Sequence, residues 1–183
     1  MEHHTFDPEG AERLADPERF AYCSVDELLA LFDASPTDRV LDLGSGNGFY
    51  ADEVAPYVGR LVGLDLQPAM LRRYRERGVP GNVDLVTGAG SALPFPDGAF
   101  DAAYSTMAFH EVEDEALAEL GRVLRSGGRL GVVDWSAAGE GTRGPPLAER
   151  YAAADARERL SAAGFSVTRA EDRRETFVVA ARV

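Results

Sequence analysis

The chain has 183 residues, of which 31 are acidic and 19 basic, so its formal net charge is −12. This length suits one domain with its own core, and we predict a single domain over residues 1–183. The negative field disfavours nucleic acid and anionic lipid as partners. Neither a run of 18 apolar residues nor a signal peptide is visible, which predicts a cytoplasmic protein without a membrane span.

Two further features of the composition bear on the environment of the protein. Its one cysteine, Cys23, excludes an internal disulfide and a cysteine-rich metal site, and no metal is expected. All of its basic residues are arginine, with no lysine. An acidic surplus of this kind suits a protein that works in high salt, where self-repulsion is screened. Codon bias toward arginine is the alternative explanation.

The first 35 residues are predicted to form a helical cover. The pairs Asp7–Pro8 and Asp16–Pro17 each have the cap and first-position residues of a helix. Ser24 and Glu27 have the spacing of a capping box, ahead of a helix with apolar residues on one face.

Residues 36–183 are predicted to form an α/β core, because short apolar strands alternate with helices. The predicted strands are RVLDL, RLVGLD, VDLVT, FDAAYS and RLGVVD. The predicted helices are Phe49–Ala55, QPAMLRRYRERG and Asp114–Leu124, the last closed by Gly127 and Gly128. A Gly/Pro-rich loop then precedes the helix AADARERLSAAG and a terminal antiparallel hairpin of FSVTRA and TFVVAARV. This order predicts an open, mostly parallel sheet with helices on both faces.

A glycine-rich turn is the first feature that points to a ligand. Gly44, Gly46 and Gly48 follow the first strand, where bare main chain can approach a ligand and the first N–H groups of the next helix are expected to be free. Asp65 ends the second strand, where a carboxylate can hold two ribose hydroxyls. The ligand is therefore predicted to contain a nucleoside.

The spacing of this turn disfavours a dinucleotide. The dinucleotide fingerprint requires glycine or alanine at its sixth position, where this chain has Phe49. Asp42 lies just before the turn, and its negative charge suits a cation better than a pyrophosphate. S-adenosylmethionine carries positive charge on its sulfonium and amino groups, and it is the predicted cofactor.

Four motifs occur in order between Val40 and Asp134: VLDLGSGNG, LVGLDLQPAML, LPFPDGAFDAAYS and RVLRSGGRL. With these motifs the chain resembles the class I S-adenosylmethionine-dependent methyltransferases, most closely the small ubiquinone/menaquinone-methyltransferase-like group. The resemblance implies a doubly wound, Rossmann-like sheet of seven strands in the order 3-2-1-4-5-7-6.

The resemblance also implies roles for individual residues. The turn would face the methionine part of the cofactor, Asp65 the ribose, the next residues the adenine, and the end of the fourth strand the transferred methyl. At Ala89 the family often has an aspartate that accepts a hydrogen bond from the adenine amine, so the main chain at Ala89 or Gly90 is expected to substitute. The complete predicted cofactor set is Asp42, Gly44, Ser45, Gly46, Gly48, Asp65, Leu66, Met70, Ala89, Gly90, Thr106 and Met107.

On the acceptor side, His110 follows the fourth strand and is a candidate general base, with a structural or orienting histidine as the alternative. Trp135 ends the fifth strand and is a candidate wall of the acceptor pocket, with core packing as the alternative. Tyr22 is a candidate cover from the N-terminal helices, with packing of those helices as the alternative.

We therefore predict an enzyme that transfers a methyl group from S-adenosylmethionine to a small molecule, as a monomer or homodimer. Two alternatives remain open at this point. One is a non-catalytic protein that binds S-adenosylmethionine, and the other is a nucleotide-cofactor oxidoreductase, which Phe49 disfavours.

Overall fold

The structure is a computed structural model that describes residues 15–183. The predicted helix at Asp7–Pro8 lies outside these residues. Asp16–Pro17 does begin a helix, but it is the short 3-10 helix Pro17–Ala21. The Asp16 side chain caps it by accepting the N–H of Glu18 at 2.9 Å.

The described residues contain five α-helices and seven strands. The helices are α1 (Val25–Leu31), α2 (Phe49–Val54), α3 (Pro68–Arg77), α4 (Asp114–Val123) and α5 (Ala153–Ala162). The strands are β1 (Arg39–Leu43), β2 (Arg60–Asp65), β3 (Val83–Thr87), β4 (Phe100–Thr106), β5 (Leu124–Trp135), β6 (Ser166–Asp172) and β7 (Thr176–Arg182). Every strand predicted from the sequence is present.

All seven strands belong to one sheet, in the order β3-β2-β1-β4-β5-β7-β6. Strands β1 to β5 pair in parallel, whereas β7 pairs antiparallel with both β5 and β6. The predicted order and the antiparallel hairpin are therefore confirmed. Strand β1 lies between β2 and β4, which is the point where the order reverses and where open sheets of this kind bind ligands.

Helices cover both faces of the sheet, as predicted. On one face, α4 and α5 pack on a core that includes Leu41, Phe100 and Leu130. On the other face, α1 and α2 pack on a core that includes Val40, Phe32 and Tyr104. The alternation of Val40 and Leu41 between the two faces follows from the two-residue period of a strand. The two cores together fix the strands of the sheet, and with them the positions of the carboxyl ends of β1, β2, β4 and β5.

The end of α4 differs from its prediction. The helix ends at Val123, and Leu124 begins β5 at once by pairing with Phe100. Between that pair and the next, the register shifts, so the extra residues of β5 bulge outward with Gly127 at a φ of 70°. Gly127 and Gly128 therefore serve a bulge inside the strand rather than a helix end, because a positive φ suits a glycine at either place.

Helix α1 begins as predicted at its N-terminus, but the capping box is incomplete. The Ser24 hydroxyl accepts the N–H of Glu27 at 3.3 Å. The Glu27 carboxylate pairs with Arg173, just before β7, instead of returning to the cap. This ion pair ties the N-terminal cover to the sheet. Over residues 15–183, no helix has the length and apolar character needed to cross a bilayer.

Candidate functional site

A cavity of about 990 Å³ opens where β1, β2, β4 and β5 end. The last residues of these strands, Leu43, Asp65, Thr106 and Trp135, all line it. Its size is at the upper end of the range for small-molecule sites. Of the residues predicted to bind cofactor or acceptor, the structure places all but Asp42 and Gly48 on its wall.

The glycine-rich turn has the predicted backbone but a different hydrogen-bonding state. Gly44 and Gly46 have φ values of 82° and 57°, which glycine adopts without a Cβ clash. A Cβ on Gly44 would lie 2.6 Å from the Cβ of Ala108, so the main chain must be bare there. The N–H groups of Gly44 and Ser45 both donate to the carbonyl of Leu64, at 2.9 and 3.0 Å.

The expectation of free N–H groups at the start of α2 is wrong for the two residues at the cap. Gly48 donates its N–H to the carbonyl of Ser45 at 3.0 Å, and Phe49 donates to Oδ1 of Asn47 at 3.3 Å. A pyrophosphate needs such groups free. The turn is therefore built to close on itself and to leave a smooth surface, which suits a cofactor without phosphates.

Asp65 joins the turn to the start of α3. Its Oδ2 accepts the N–H of Gly46 at 2.7 Å, and its Oδ1 accepts the N–H of Gln67 at 2.8 Å. Burial raises the pKa of Asp65, and these two hydrogen bonds oppose the rise. Each oxygen keeps acceptor capacity beyond its one backbone bond. The carboxylate is thus fixed in direction and can accept from two adjacent hydroxyls.

Asp42 and Gly48 are the two corrections to the predicted set. Asp42 is buried behind the turn, next to Ser45 and Tyr104, and burial raises its pKa to about 7 while those two hydroxyl groups oppose the rise. Gly48, with a φ of 80°, packs against the ring of Tyr74, which leaves no space for a side chain. Both residues support the turn but do not line the cavity.

The predicted adenine side of the cavity is mostly apolar. Leu66 is 56% exposed and projects into the open space, whereas Met70 is buried beneath it. Ala89 and Gly90 line the cavity where a short 3-10 helix, Gly90–Ala92, begins. Ser91 also lines it and was not predicted; it supplies a hydroxyl two residues after Ala89, in the segment where the family acid is missing.

Thr106 and Met107 line the cavity at the end of β4. They lie between the part predicted to hold the cofactor, at the ends of β1 and β2 (the cofactor half), and the part predicted to hold the acceptor, at the end of β5 (the acceptor half). Met107 has a φ of 55°, a left-handed conformation that costs a non-glycine residue about 1–3 kcal/mol. Its N–H donates to the carbonyl of Val133 at 2.8 Å, which holds the conformation in place. The chain turns there and brings the next residues, Ala108 to His110, back over the end of β5.

His110 lines the acceptor half and is bound to Asp134, the residue before the end of β5. The imidazole Nδ1 lies 2.9 Å from Oδ2 of Asp134, and the backbone N–H of His110 donates to the same oxygen at 2.6 Å. Asp134 is fully buried, and its Oδ1 accepts the N–H of Trp135 at 2.7 Å. The imidazole is therefore fixed through Nδ1, and its Nε2 remains for a ligand or for Glu111, 3.8 Å away.

Opposing influences act on the pKa of His110. Burial alone lowers it, but the hydrogen bond and charge of Asp134, with the charges of Glu111 and Glu149, raise it above 6.5 overall. The sequence places Asp134 at the end of the predicted fifth strand but does not by itself pair it with His110. The signal was available, because β4 and β5 are parallel neighbours and end at one edge.

The remaining wall is aromatic and contains two arginines that the sequence did not single out. The rings of Tyr22 and Trp135 contact each other, with centroids 4.9 Å apart. Arg19 lies 5.0 Å from the ring centroid of Phe49, and burial lowers its pKa. Arg143 pairs with Glu18 at 2.9 Å and so bridges the N-terminal cover and the loop after β5. Among residues 15–183, no group of three potential metal-binding side chains comes together.

These contacts fit S-adenosylmethionine. The turn has a smooth, closed main chain for a non-phosphate group, and Asp65 offers two fixed acceptors for a ribose. Leu66 and Met70 supply apolar contact for a base. A dinucleotide is disfavoured by the same turn, because the N–H groups of Gly48 and Phe49 are already bonded.

Comparison with known proteins gives the same assignment. The family model described as a methyltransferase domain matches residues 41–132, which is half of the chain. The demethylmenaquinone methyltransferase of Corynebacterium kroppenstedtii is 39% identical over 106 residues, covering 57% of this chain and 44% of that protein. A ubiquinone/menaquinone biosynthesis C-methyltransferase of Ectopseudomonas mendocina is 36% identical over 132 residues, covering 67% of this chain and 50% of that protein. The chain spans about half the length of the curated relatives it matches.

Among solved structures, a SAM-dependent methyltransferase from Aquifex aeolicus superimposes with a TM-score of 0.90 at 29% identity. The match covers 98% of this chain and all of that one. The likeness therefore extends over the whole fold and not only over the motifs. This chain belongs to the class I S-adenosylmethionine-dependent methyltransferases, in the ubiquinone/menaquinone-methyltransferase-like group.

Proposed function

We propose that this protein transfers a methyl group from S-adenosylmethionine to a small hydroxylated aromatic molecule. The observation that carries the proposal is that one cavity joins a ribose-type carboxylate, Asp65, to a buried His110–Asp134 pair. The acceptor class is supported by the aromatic wall of Tyr22 and Trp135 and by the names of the relatives, which include a demethylmenaquinone methyltransferase.

On the cofactor side, the residues of the turn bind and orient. Gly44 and Gly46 let the main chain approach the methionine part, and Asp65 accepts the two ribose hydroxyls. Leu66 and Met70 hold the adenine by apolar contact, with the main chain of Ala89 and Gly90 and the Ser91 hydroxyl as its polar partners. When bound, S-adenosylmethionine supplies an electrophilic methyl group on a sulfonium.

On the acceptor side, His110 takes a proton from the acceptor hydroxyl at Nε2. Asp134 orients the imidazole through Nδ1 and stabilises the imidazolium that forms. Thr106 and Met107 set the distance between the two halves of the cavity. Positioning of this kind can lower the barrier by about 7–11 kcal/mol, and a general base typically raises the rate by about 10²- to 10⁴-fold.

We also propose that the chain is a single domain, that it works in the cytoplasm and that it is a monomer or a homodimer. The acidic composition supports a protein that does not bind nucleic acid. Light scattering of the purified protein measures the oligomeric state directly, and a stable trimer or larger assembly would contradict the proposal.

Calorimetry with S-adenosylmethionine, S-adenosylhomocysteine and NAD in parallel tests the cofactor. We expect the first two to bind and NAD not to bind. A screen with methyl-labelled S-adenosylmethionine and phenolic or quinol acceptors then tests turnover. Binding of NAD alone would favour the oxidoreductase alternative, and cofactor binding without any labelled product across the screen would favour a non-catalytic binder.

A further inference from the structure

The segment between β5 and α5 forms part of the outer wall of the acceptor half and lies mostly at the protein surface. Its residues 137–149 contain three glycines and two prolines, of which Gly144, Pro145 and Pro146 are consecutive, and most of its side chains are exposed. Arg143 to Pro146 nevertheless line the cavity. An exposed loop without an apolar core needs fixed hydrogen bonds to keep one conformation.

Arg150 supplies bonds to the carbonyl groups of this loop. Its side chain is only 1% exposed. Its Nε donates to the carbonyl of Pro145 at 2.8 Å, its Nη1 to that of Ser136 at 3.3 Å, and its Nη2 to that of Arg143. One planar guanidinium thus joins both ends of the loop, which a single ammonium cannot do.

Glu175, just before β7, binds the N–H side of the same loop. Its Oε1 accepts the Thr142 hydroxyl at 2.7 Å, and its carboxylate also accepts N–H groups of Gly141 and Thr142, which lower its pKa together with the charge of Arg150. Its Oε2 lies 3.8 Å from Nη1 of Arg150. The two side chains therefore hold the loop as a pair, one through carbonyls and the other through N–H groups.

The same pair reaches the aromatic wall. The Arg150 guanidinium lies 5.5 Å from the centroid of Trp135. Gly144 packs so closely on that indole that a Cβ would lie 2.5 Å from its Cδ2. Since the loop and the ring are in contact, a displaced loop uncovers Trp135.

We infer that Arg150 is a positioning residue for the acceptor. It does not line the cavity; it fixes the loop Ser136–Pro146 and Trp135, which do the contacting. The inference rests on the proposed function, because the wall matters only if an acceptor binds there. It predicts that loss of the Arg150 bonds disorders the acceptor half and leaves the cofactor half, built on Asp65 and the turn, unchanged.

Trp135 is the one tryptophan of the chain, so its fluorescence reports on this wall alone. The test measures acrylamide quenching of the unmodified protein and of R150M, R150K and R157M, with calorimetry of S-adenosylhomocysteine on each. Arg157 is exposed on α5, where its Nη1 donates to the carbonyl of Val167 at 3.4 Å, so R157M is the matched control. R150K keeps the positive charge but lacks the planar guanidinium, so it still tests the inference if R150M does not fold.

We expect R150M and R150K to raise the quenching constant by about threefold, as a locally opened loop exposes the ring, while R157M leaves it unchanged. The affinity for S-adenosylhomocysteine should stay within about threefold in all four proteins, since that half does not contact the loop. Unchanged quenching in either folded Arg150 variant would overturn the inference. Failure of the unmodified protein to bind S-adenosylhomocysteine would instead contradict the proposed function.

Discussion

Replacing Asp134 with asparagine tests how the imidazole of His110 is held. Asp134 is fully buried, accepts the N–H groups of His110 and Trp135, and lies 2.9 Å from Nδ1 of His110. Asparagine has nearly the same shape but carries no charge. The variant therefore removes the charge beside the imidazole and keeps the ring buried.

The expected change in pKa follows from the influences on His110. Burial is the largest single one and lowers the pKa, whereas Asp134 is the main reason that the pKa lies above 6.5. An opposite charge at hydrogen-bond distance shifts a pKa by about 1–3 units, or about 1.4–4 kcal/mol. We expect the pKa of His110 in D134N to fall by about that amount, to a value below 6.5.

Imidazole proton resonances measured across a pH series give this pKa. The chain has three histidines, and His3 and His4 are adjacent near its start, so H110Q identifies the third signal. E111Q is the matched control, because Glu111 lies 3.8 Å from Nε2 and its charge raises the pKa less than Asp134 does. A pKa that stays above 6.5 in D134N would refute the explanation.

The same pair makes stability depend on pH. The folded-state pKa of His110 is raised, so its stabilising contribution is complete below the unfolded value of about 6.5 and is lost as the pH rises through the folded value. D134N should therefore lower the melting temperature most below pH 6.5. A destabilisation that grows toward alkaline pH would contradict this sign.

Four other predictions concern the cofactor half and the surface. D65A should weaken S-adenosylhomocysteine binding by about 10- to 150-fold in calorimetry, since a hydrogen bond to a charged group contributes about 1.5–3 kcal/mol; unchanged affinity would contradict the ribose role. G44A should lower the unfolding free energy by about 1–3 kcal/mol in urea titrations and by more than G127A, because a Cβ at Gly127 meets nothing within 4 Å. D42N should be more stable than the parent by an amount that grows from about pH 4 to pH 7 and then levels off, since the pKa of Asp42 is raised to about 7. A difference in melting temperature between D42N and the parent that is the same at about pH 4 and pH 7 would contradict this. If the acidic surface reflects high salt, the melting temperature should rise with molar salt, and a flat salt series contradicts that hypothesis.

The order of the elements and the position of the glycine turn were predictable because both follow from local chemistry. Gly44 and Gly46 adopt a positive φ that few other residues tolerate, and the apolar strands are marked by their own composition. Asp65 was predictable for a related reason, since a residue at the end of a parallel strand lies at the carboxyl edge of the sheet, where ligands bind.

Other features depend on partners far apart in the chain. Gly48 is glycine because Tyr74 packs on it, and the N–H groups of Gly44 and Ser45 are closed by Leu64 from the neighbouring strand. Neither contact has a sequence signal, because periodicity describes the face of an element and not the atom opposite it. The expectation of free N–H groups at the start of α2 was wrong for this reason.

The sequence by itself determined a parallel α/β sheet, a bare main-chain turn after β1 and a carboxylate after β2. Only the tertiary structure decided that the turn closes on itself, that His110 is held by Asp134, and that Arg150 fixes the loop beside Trp135. The physical reason is one of range. Backbone conformation is set within a few residues, whereas hydrogen bonds, ion pairs and pKa values are set by whichever groups the folded chain brings within a few ångströms.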